Sequence, residues 1–252
     1  MAVVETARGP LRGVKAGQVE VRLTLLADVG EEHRRAYERQ LSDAEHARWR
    51  RFLCPGAALQ FLVARALLRS TLEACSGVPG ACWRFTTNAY GRPFVCEPAA
   101  YRFLQFNVSH THGLVACAVA WGCEIGLDVE DTGRDIDIAA LAPQVFAPAE
   151  RAYLARCGAD EERSVFFSYW TLKEAYIKAR GMGLSIPLEA FWFDLAQERP
   201  RIHFTPGCPD DPNRWAFHQF SPSARHRLAL AVSPPGPQSD VRLRRTLPPH
   251  NL

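Results

Sequence analysis

From Glu161 to Arg180 the chain places Phe166, Phe167, Trp170, Leu172, Tyr176 and Ile177 at helical spacing, which makes a helix apolar on nearly every side. A helix of that kind has no face for water and must be enclosed by other elements. Gly181-Met182-Gly183 marks its end, because glycine takes the left-handed conformation that closes a helix. Inside this enclosed helix stand residues that burial makes costly. Trp170, Glu174 and Lys178 follow at i, i+4 and i+8 and share one stripe, with Lys173 a quarter-turn from Glu174. On a surface helix Glu174 and Lys178 would be an ordinary pair worth roughly 0.3–0.5 kcal/mol. An acid flanked by two lysines in an enclosed helix calls instead for a tight partner or a task.

A second constraint comes from the strands before it. Leu114–Trp121 and Glu124–Glu130 read as two strands joined tightly through Gly122, a hairpin. In the second strand Ile125, Leu127 and Val129 point one way, and Glu124, Gly126, Asp128 and Glu130 the other. At a rise of ~3.3 Å per residue Asp128 and Glu130 lie ~6.6 Å apart along one face, so their carboxylates can converge on one cation. Mg²⁺, held by one or two carboxylates with phosphate oxygens and waters, suits such a face. The same alternation also describes a solvated outer strand. Gly126, on the carboxylate face, argues for something approaching closely there. Upstream, Phe103–Val108 reads as a strand that ends in Asn107-Val-Ser-His110, followed by Thr111, His112 and Gly113. The Ser109 hydroxyl and His110 imidazole suit phosphate oxygens, and equally a self-satisfied turn. They do not form a catalytic pair, since adjacent side chains on an extended segment point to opposite faces.

Around these segments, Ser42 and Glu45 form a capping-box pattern that opens a helix carrying Arg48, Trp49, Arg51 and Phe52 and ending at Pro55-Gly56. A second helix follows from Ala57 to Ala74, with Arg65 and Arg69 one turn apart. Trp83–Thr86, Phe191–Leu195, Arg201–Phe204, Trp215–Phe220 and His226–Val232 read as further strands. This order predicts an α+β fold in two halves, 1–123 and 124–232, followed by a disordered proline-containing tail over 233–252.

Composition narrows the partners. With 47% apolar and 23% charged residues the chain is an ordinary globular protein. Its net charge of +3 argues against the concentrated basic face of a nucleic-acid binder. The longest apolar run, Leu114–Trp121, is far short of the ~20 residues that cross a bilayer, and Arg8, Arg12 and Lys15 interrupt any signal peptide. The expectation is a cytoplasmic protein with no membrane or nucleic-acid partner. Eight cysteines without a CxxC pair and eight histidines without an HExxH motif argue against a disulfide framework or a zinc site.

Taken together, Asn107–His110, Gly126–Glu130 and Trp170–Lys178 resemble the three motifs of the Sfp-type 4′-phosphopantetheinyl transferases, in order and spacing. Gly91-Arg92-Pro93 and the Arg51-Phe52 and Ala64-Arg65 pairs resemble further family elements, so the likeness spans roughly Ser42 to Phe193. The resemblance implies two pseudo-twofold-related halves with coenzyme A in the cleft between them. It implies Mg²⁺ on Asp128, Glu130 and Glu174, with Lys178 on the transferring phosphate and Ser109 and His110 at the coenzyme's phosphates. Arg65 and Arg92, and more weakly Arg48, match basic positions near the 3′-phosphate. Lys173 adds to the positive charge that coenzyme A requires. The implied reaction passes the phosphopantetheine arm to a serine of an apo acyl or peptidyl carrier protein and releases 3′,5′-ADP, with Asp128, Glu174 and Lys178 catalytic and Glu174 the candidate base. A monomer is expected, and an acidic carrier would dock on Arg134, Arg151 or Arg156 near Phe146. Gln60-Phe61 departs from the polar or basic residues that some members carry in that helix.

Overall fold

A computed structural model describes residues 17–234 and 241–249. The first half contains β1 (Val19–Leu25), α1 (Glu31–Arg39), α2 (Asp43–Trp49), α3 (Pro55–Ser76), β2 (Arg84–Thr87), β3 (Pro93–Glu97), β4 (Leu104–Thr111) and β5 (Leu114–Trp121). The second contains β6 (Glu124–Asp131), α4 (Ile138–Val145), α5 (Pro148–Leu154), α6 (Ala159–Arg180), β7 (Phe191–Asp194), β8 (Arg201–Phe204), β9 (Ala216–Ser223) and β10 (His226–Ser233). A last strand, β11 (Val241–Arg245), follows.

Strand alternation sets the layering. On β5 the odd residues Val115, Cys117 and Val119 pack with Leu67, Leu68 and Leu72 of α3. The even residues Leu114, Ala116, Ala118 and Ala120 turn to a central apolar layer with Val19, Val21 and Leu23 of β1. That layer is completed by Ile125, Leu127 and Val129 of β6 and Leu228, Leu230 and Val232 of β10. The opposite residues of β10, Ala229 and Ala231, pack with Phe166, Phe167 and Tyr176 of α6. The result is a helix–sheet–sheet–helix stack, a mixed α+β fold. The sheet orders are β11-β1-β5-β4 and β6-β10-β9. Each half packs one 22-residue helix on its sheet, closed by a left-handed glycine: Gly77 (φ 75°) after α3 and Gly181 (φ 63°) after α6. α4, α5 and β7 cover the other sides of α6, which is why its sequence leaves no polar face.

Three expectations change. The predicted hairpin does not form: β5 pairs with β1 and β4, and β6 pairs with β10. Gly122-Cys123 carries the chain from one sheet to the other, because both edges of β5 are already occupied. Pro55 opens α3 at its first position rather than ending the helix before it, since a missing N–H costs nothing there. The tail expected to be disordered contributes β11, parallel to β1. Val241 and Leu243 pack on the central layer, the Thr246 N–H donates to Leu23 O, and the Tyr37 hydroxyl donates to Pro248 O. Residues 235–240 and 250–252 lie outside the described residues.

The close approach read from Gly126 is real, and the partner is α6. A Cβ at this position would stand 1.9 Å from Ala175 O and 2.3 Å from Ala179 N, both backbone atoms. Neither can move without shifting the helix. Gly126→Ala is therefore expected to destabilise the fold by about 1–3 kcal/mol or more, read as a fall in the urea midpoint. Among the described residues no helix is long and apolar enough to cross a membrane.

Candidate functional site

The site lies where the two sheets meet edge to edge. β4 and β6 share no backbone ladder, and three side chains bridge the gap instead. Asn107 Oδ1 accepts from the Leu127 N–H at 3.0 Å, Ser109 Oγ from Val129 at 3.2 Å, and Thr111 Oγ1 from Asp131 at 3.0 Å. Side chains two apart on β4 fall on one face, and N–H groups two apart on β6 fall on one edge, so the two rows match in register. Asn107→Ala would leave the buried Leu127 N–H without an acceptor. The expected loss is about 1–3 kcal/mol, seen as a lower urea midpoint at unchanged m-value.

This seam brings the acidic residues together. Ser109 donates to Asp128 Oδ1 at 3.0 Å, and Lys178 Nζ reaches Asp128 Oδ1 at 2.6 Å and Ser109 Oγ at 3.1 Å. Asp128 Oδ2 is buried with no partner among the described residues. Glu130 accepts from Trp170 Nε1 and from Arg134 Nη1, each at 3.1 Å. Glu174 has no side-chain hydrogen bond or ion pair among the described residues. Asp128, Glu130 and Glu174 all line one cavity of about 350 Å³, with Ser109, His110, Trp170 and Lys178. Burial raises the Glu174 carboxyl above its ordinary range and the Asp128 charge raises it further, against the opposing pull of Lys178. Burial and Asp128 also raise Glu130, while Arg134 opposes them. Two carboxyls raised by burial and by the neighbouring Asp128 charge, beside an Asp128 oxygen without a partner, are an environment completed by a cation. As their side chains stand, no three Asp, Glu, His or Cys among the described residues form a closed ligating group.

A larger cleft of about 590 Å³ adjoins this cavity and shares Val108, His110, Glu174 and Lys178 with it. One wall comes from α3 and the segment before it, the other from the C-terminal turns of α6. Arg48 and Arg65 both lie over the Phe61 ring, at 5.4 and 5.2 Å. The departure at Gln60-Phe61 thus supplies an aromatic face that supports two guanidinium groups. Arg65 reaches Glu45 at 3.8 Å, and its buried Nε has no partner among the described residues. His110 lies at the junction of the two cavities, where desolvation and the Lys178 charge lower its pKa and favour the neutral ring.

One predicted phosphate residue is placed differently, and a second is already hydrogen-bonded within the chain. Lys173 turns away from the cleft: it is 2% exposed, and its ammonium pairs with Glu150 at 2.8 Å. Arg92 lines the cleft, yet its guanidinium donates to Ala179 O, Gln105 Oε1 and Ile125 O, binding the β2–β3 ribbon to both halves. Phe146, expected at a docking surface, is buried among Phe166 and Tyr169, and Arg134 is committed to Glu130. Arg151 and Arg156 are exposed. The bridging roles of Asn107 and Thr111 and the Trp170–Glu130 bond escaped the sequence reading. Only the polar alternation Asn107, Ser109, Thr111 hinted at them.

Two family profiles cover most of the chain. Residues 30–121 match one described as 4′-phosphopantetheinyl transferase, N-terminal, and residues 124–232 match the 4′-phosphopantetheinyl transferase superfamily. The 4′-phosphopantetheinyl transferase HetI of a Nostoc species is 37% identical over 194 residues, 77% of this chain and 78% of HetI. The chain belongs to the 4′-phosphopantetheinyl transferase family. The transferase Sfp of Bacillus subtilis is 28% identical over 204 residues, 81% of this chain and 87% of Sfp. The solved holo-acyl-carrier-protein synthase of Thermotoga maritima aligns at 20% identity and a TM-score of 0.36 over 44% of this chain and 62% of that one, too slight a likeness to argue from. In this transferase the cleft draws one wall from the stretch matched by each profile, Arg48–His110 from the first and Glu174–Lys178 from the second.

Proposed function

We propose that this transferase moves the 4′-phosphopantetheine arm of coenzyme A to a serine hydroxyl of an apo acyl or peptidyl carrier protein. Mg²⁺ would be held by Asp128, Glu130 and Glu174, and 3′,5′-ADP released. The observation that carries the reading is continuity: an acidic cavity with an orphaned carboxylate oxygen opens into a cleft lined by arginines and aromatic rings. The donor set fits the metal, since Mg²⁺ takes carboxylates together with phosphate oxygens and waters rather than a closed protein cage. When bound, the ion would offset the diphosphate charge and orient the phosphorus for in-line attack.

The chain's own residues do the rest. Arg48 and Arg65, both over Phe61, present positive charge to the 3′-phosphate end. Neutral His110 offers one ring N–H to a phosphate oxygen. The carrier serine oxygen bonds to the phosphorus as the bond to the departing ADP oxygen breaks, and the serine proton passes to Glu174. Glu174 lines both cavities and has no hydrogen-bond partner among the described residues, so an oxygen of its carboxylate is free to accept that proton. Lys178 offsets the charge that grows on the leaving nucleotide. Ser109 is a positioning residue here, because its three hydrogen bonds hold Asp128 and Lys178 in place. The eight free thiols suit a reducing compartment, and with both cleft walls on one chain we read the enzyme as a cytoplasmic monomer.

The test is incubation with coenzyme A, Mg²⁺ and an apo carrier, followed by intact-mass analysis. The carrier should gain one phosphopantetheine, lose that gain under chelator, and regain it with added Mg²⁺. Unmodified acyl, peptidyl and aryl carriers would overturn the reading.

A further inference from the structure

A third cavity, of about 280 Å³, shares no lining residue with the cleft or the acidic cavity. Arg39, Arg69 and Arg84 line it, together with Leu41, Ser42 and Ala81, and none of its lining residues is acidic. Arg69 is 5% exposed. Its Nη2 donates to Glu45 Oε2 at 2.7 Å, while its buried Nη1 has no partner among the described residues. A guanidinium held this deep with one terminal nitrogen unsatisfied is a standing demand for an acceptor. Arg39 and Arg84, both exposed at the rim, add two further planar groups; Arg84 Nη1 already donates to Ala81 O at 2.7 Å and Trp83 O at 3.0 Å, which leaves its Nε and Nη2 to face an anion.

We propose that this cavity binds a phosphate-type oxyanion, gripped by Arg39, Arg69 and Arg84. Three guanidinium groups around one concavity match a tetrahedral oxyanion, because each fork supplies paired N–H donors at the spacing of its oxygens. The volume admits free phosphate with water, or the phosphate end of a small monoester.

The cavity is wired to the cleft through one carboxylate. Glu45 Oε2 holds Arg69, and Glu45 Oε1 faces Arg65 of the cleft wall at 3.8 Å. An anion that satisfies Nη1 of Arg69 offsets the guanidinium charge that holds Glu45 through Nη2, and leaves that carboxylate freer to neutralise Arg65. It also adds negative charge one helical turn from Arg65. Both effects weaken the grip of the cleft on an anionic ligand, and by linkage a ligand in the cleft weakens the outer anion equally.

The test is an NMR titration of the full chain with inorganic phosphate, and in parallel with glycerol phosphate, in the absence of coenzyme A. The first readout is therefore independent of the transferase reading. The amides of Leu41, Ser42, Ala81 and Arg84 should shift and saturate, with affinity at least about tenfold weaker in the Arg39→Ala, Arg84→Ala double variant. Tighter binding of glycerol phosphate would assign a monoester, and equal binding free phosphate. Shifts confined to cleft residues, or unchanged affinity in the double variant, would overturn the site. Calorimetry then reads the coupling. Coenzyme A affinity should fall about fivefold and level off as phosphate saturates the wild type, with no levelling component in the double variant. An identical, unlimited competition in both proteins would overturn the link through Glu45.

Discussion

Lys173→Met is expected to destabilise this transferase by about 3–5 kcal/mol, although the residue touches neither the cleft nor the acidic cavity. Lys173 Nζ donates to Glu150 Oε2 at 2.8 Å, to Leu188 O at 2.8 Å and to Phe191 O at 2.7 Å. Glu150 is fully buried and also accepts from the Ala147 and Phe193 N–H groups. Three acceptors around the nitrogen require an ammonium, and three donors around the carboxyl group require a carboxylate, so the geometry describes an ion pair. Burial nevertheless pushes Glu150 up and Lys173 down, which shows how strongly each depends on the other. Without Lys173 the Glu150 carboxyl rises further above its unfolded value. The native state then takes up a proton before the unfolded chain does, so stability is gained as pH falls from the native pKa towards the ordinary carboxylate range. Urea denaturation should therefore show the largest deficit above neutrality and a smaller one near about pH 5. A deficit independent of pH would show that Glu150 carries no charge. A lysine bound to phosphate would instead raise KM for coenzyme A and leave the urea midpoint unchanged, which separates the two placements of this residue.

What the sequence disclosed and what it withheld divide along the range of the interaction. The Ser42–Glu45 capping box, the length of α6 and its Gly181 stop all appear as read, because each is fixed by residues within a few positions. The face assignment of β6 also holds, since alternation is a local property. Lys173 was misplaced because a helix apolar on all sides gives no polar face by which to orient a lysine. Its partner lies 23 positions upstream, on a separate helix. The pairing of β5 turned on whether β1 and β4 had already taken both of its edges, a question that no pattern near Gly122 can answer. β11 was hidden by the prolines before it, because its short Val241/Leu243 alternation gains meaning only beside β1. Asn107, Ser109 and Thr111 showed their polar row in the sequence. That each of the three accepts from an N–H of β6 is a tertiary fact.

Glu174→Gln should separate function from stability in the opposite sense. Transfer is expected to fall by about 10²–10⁴-fold, the range for loss of a positioned base, with the protein at neutral pH more stable than wild type. The stability gain follows from the native environment of this carboxyl. Burial and then the Asp128 charge raise its pKa, Lys178 draws it down, and Glu130 raises it again. Its native value lies above its unfolded one, so the ionised form opposes folding at neutral pH, and stability returns as pH falls from the native towards the unfolded value. Glutamine removes that opposition. The variant should therefore melt higher than wild type above this window, and the two curves should converge in acid. On the proposed assignment of Asp128, Glu130 and Glu174 to Mg²⁺, the ion should raise the melting temperature of the wild type and raise that of Glu174→Gln less. The variant isolates the point because Glu174 has no hydrogen-bond partner to orphan among the described residues, so a loss of activity cannot be ascribed to a broken network. A variant that melts lower than wild type and still modifies its carrier would remove both the strained carboxylate and its role as base.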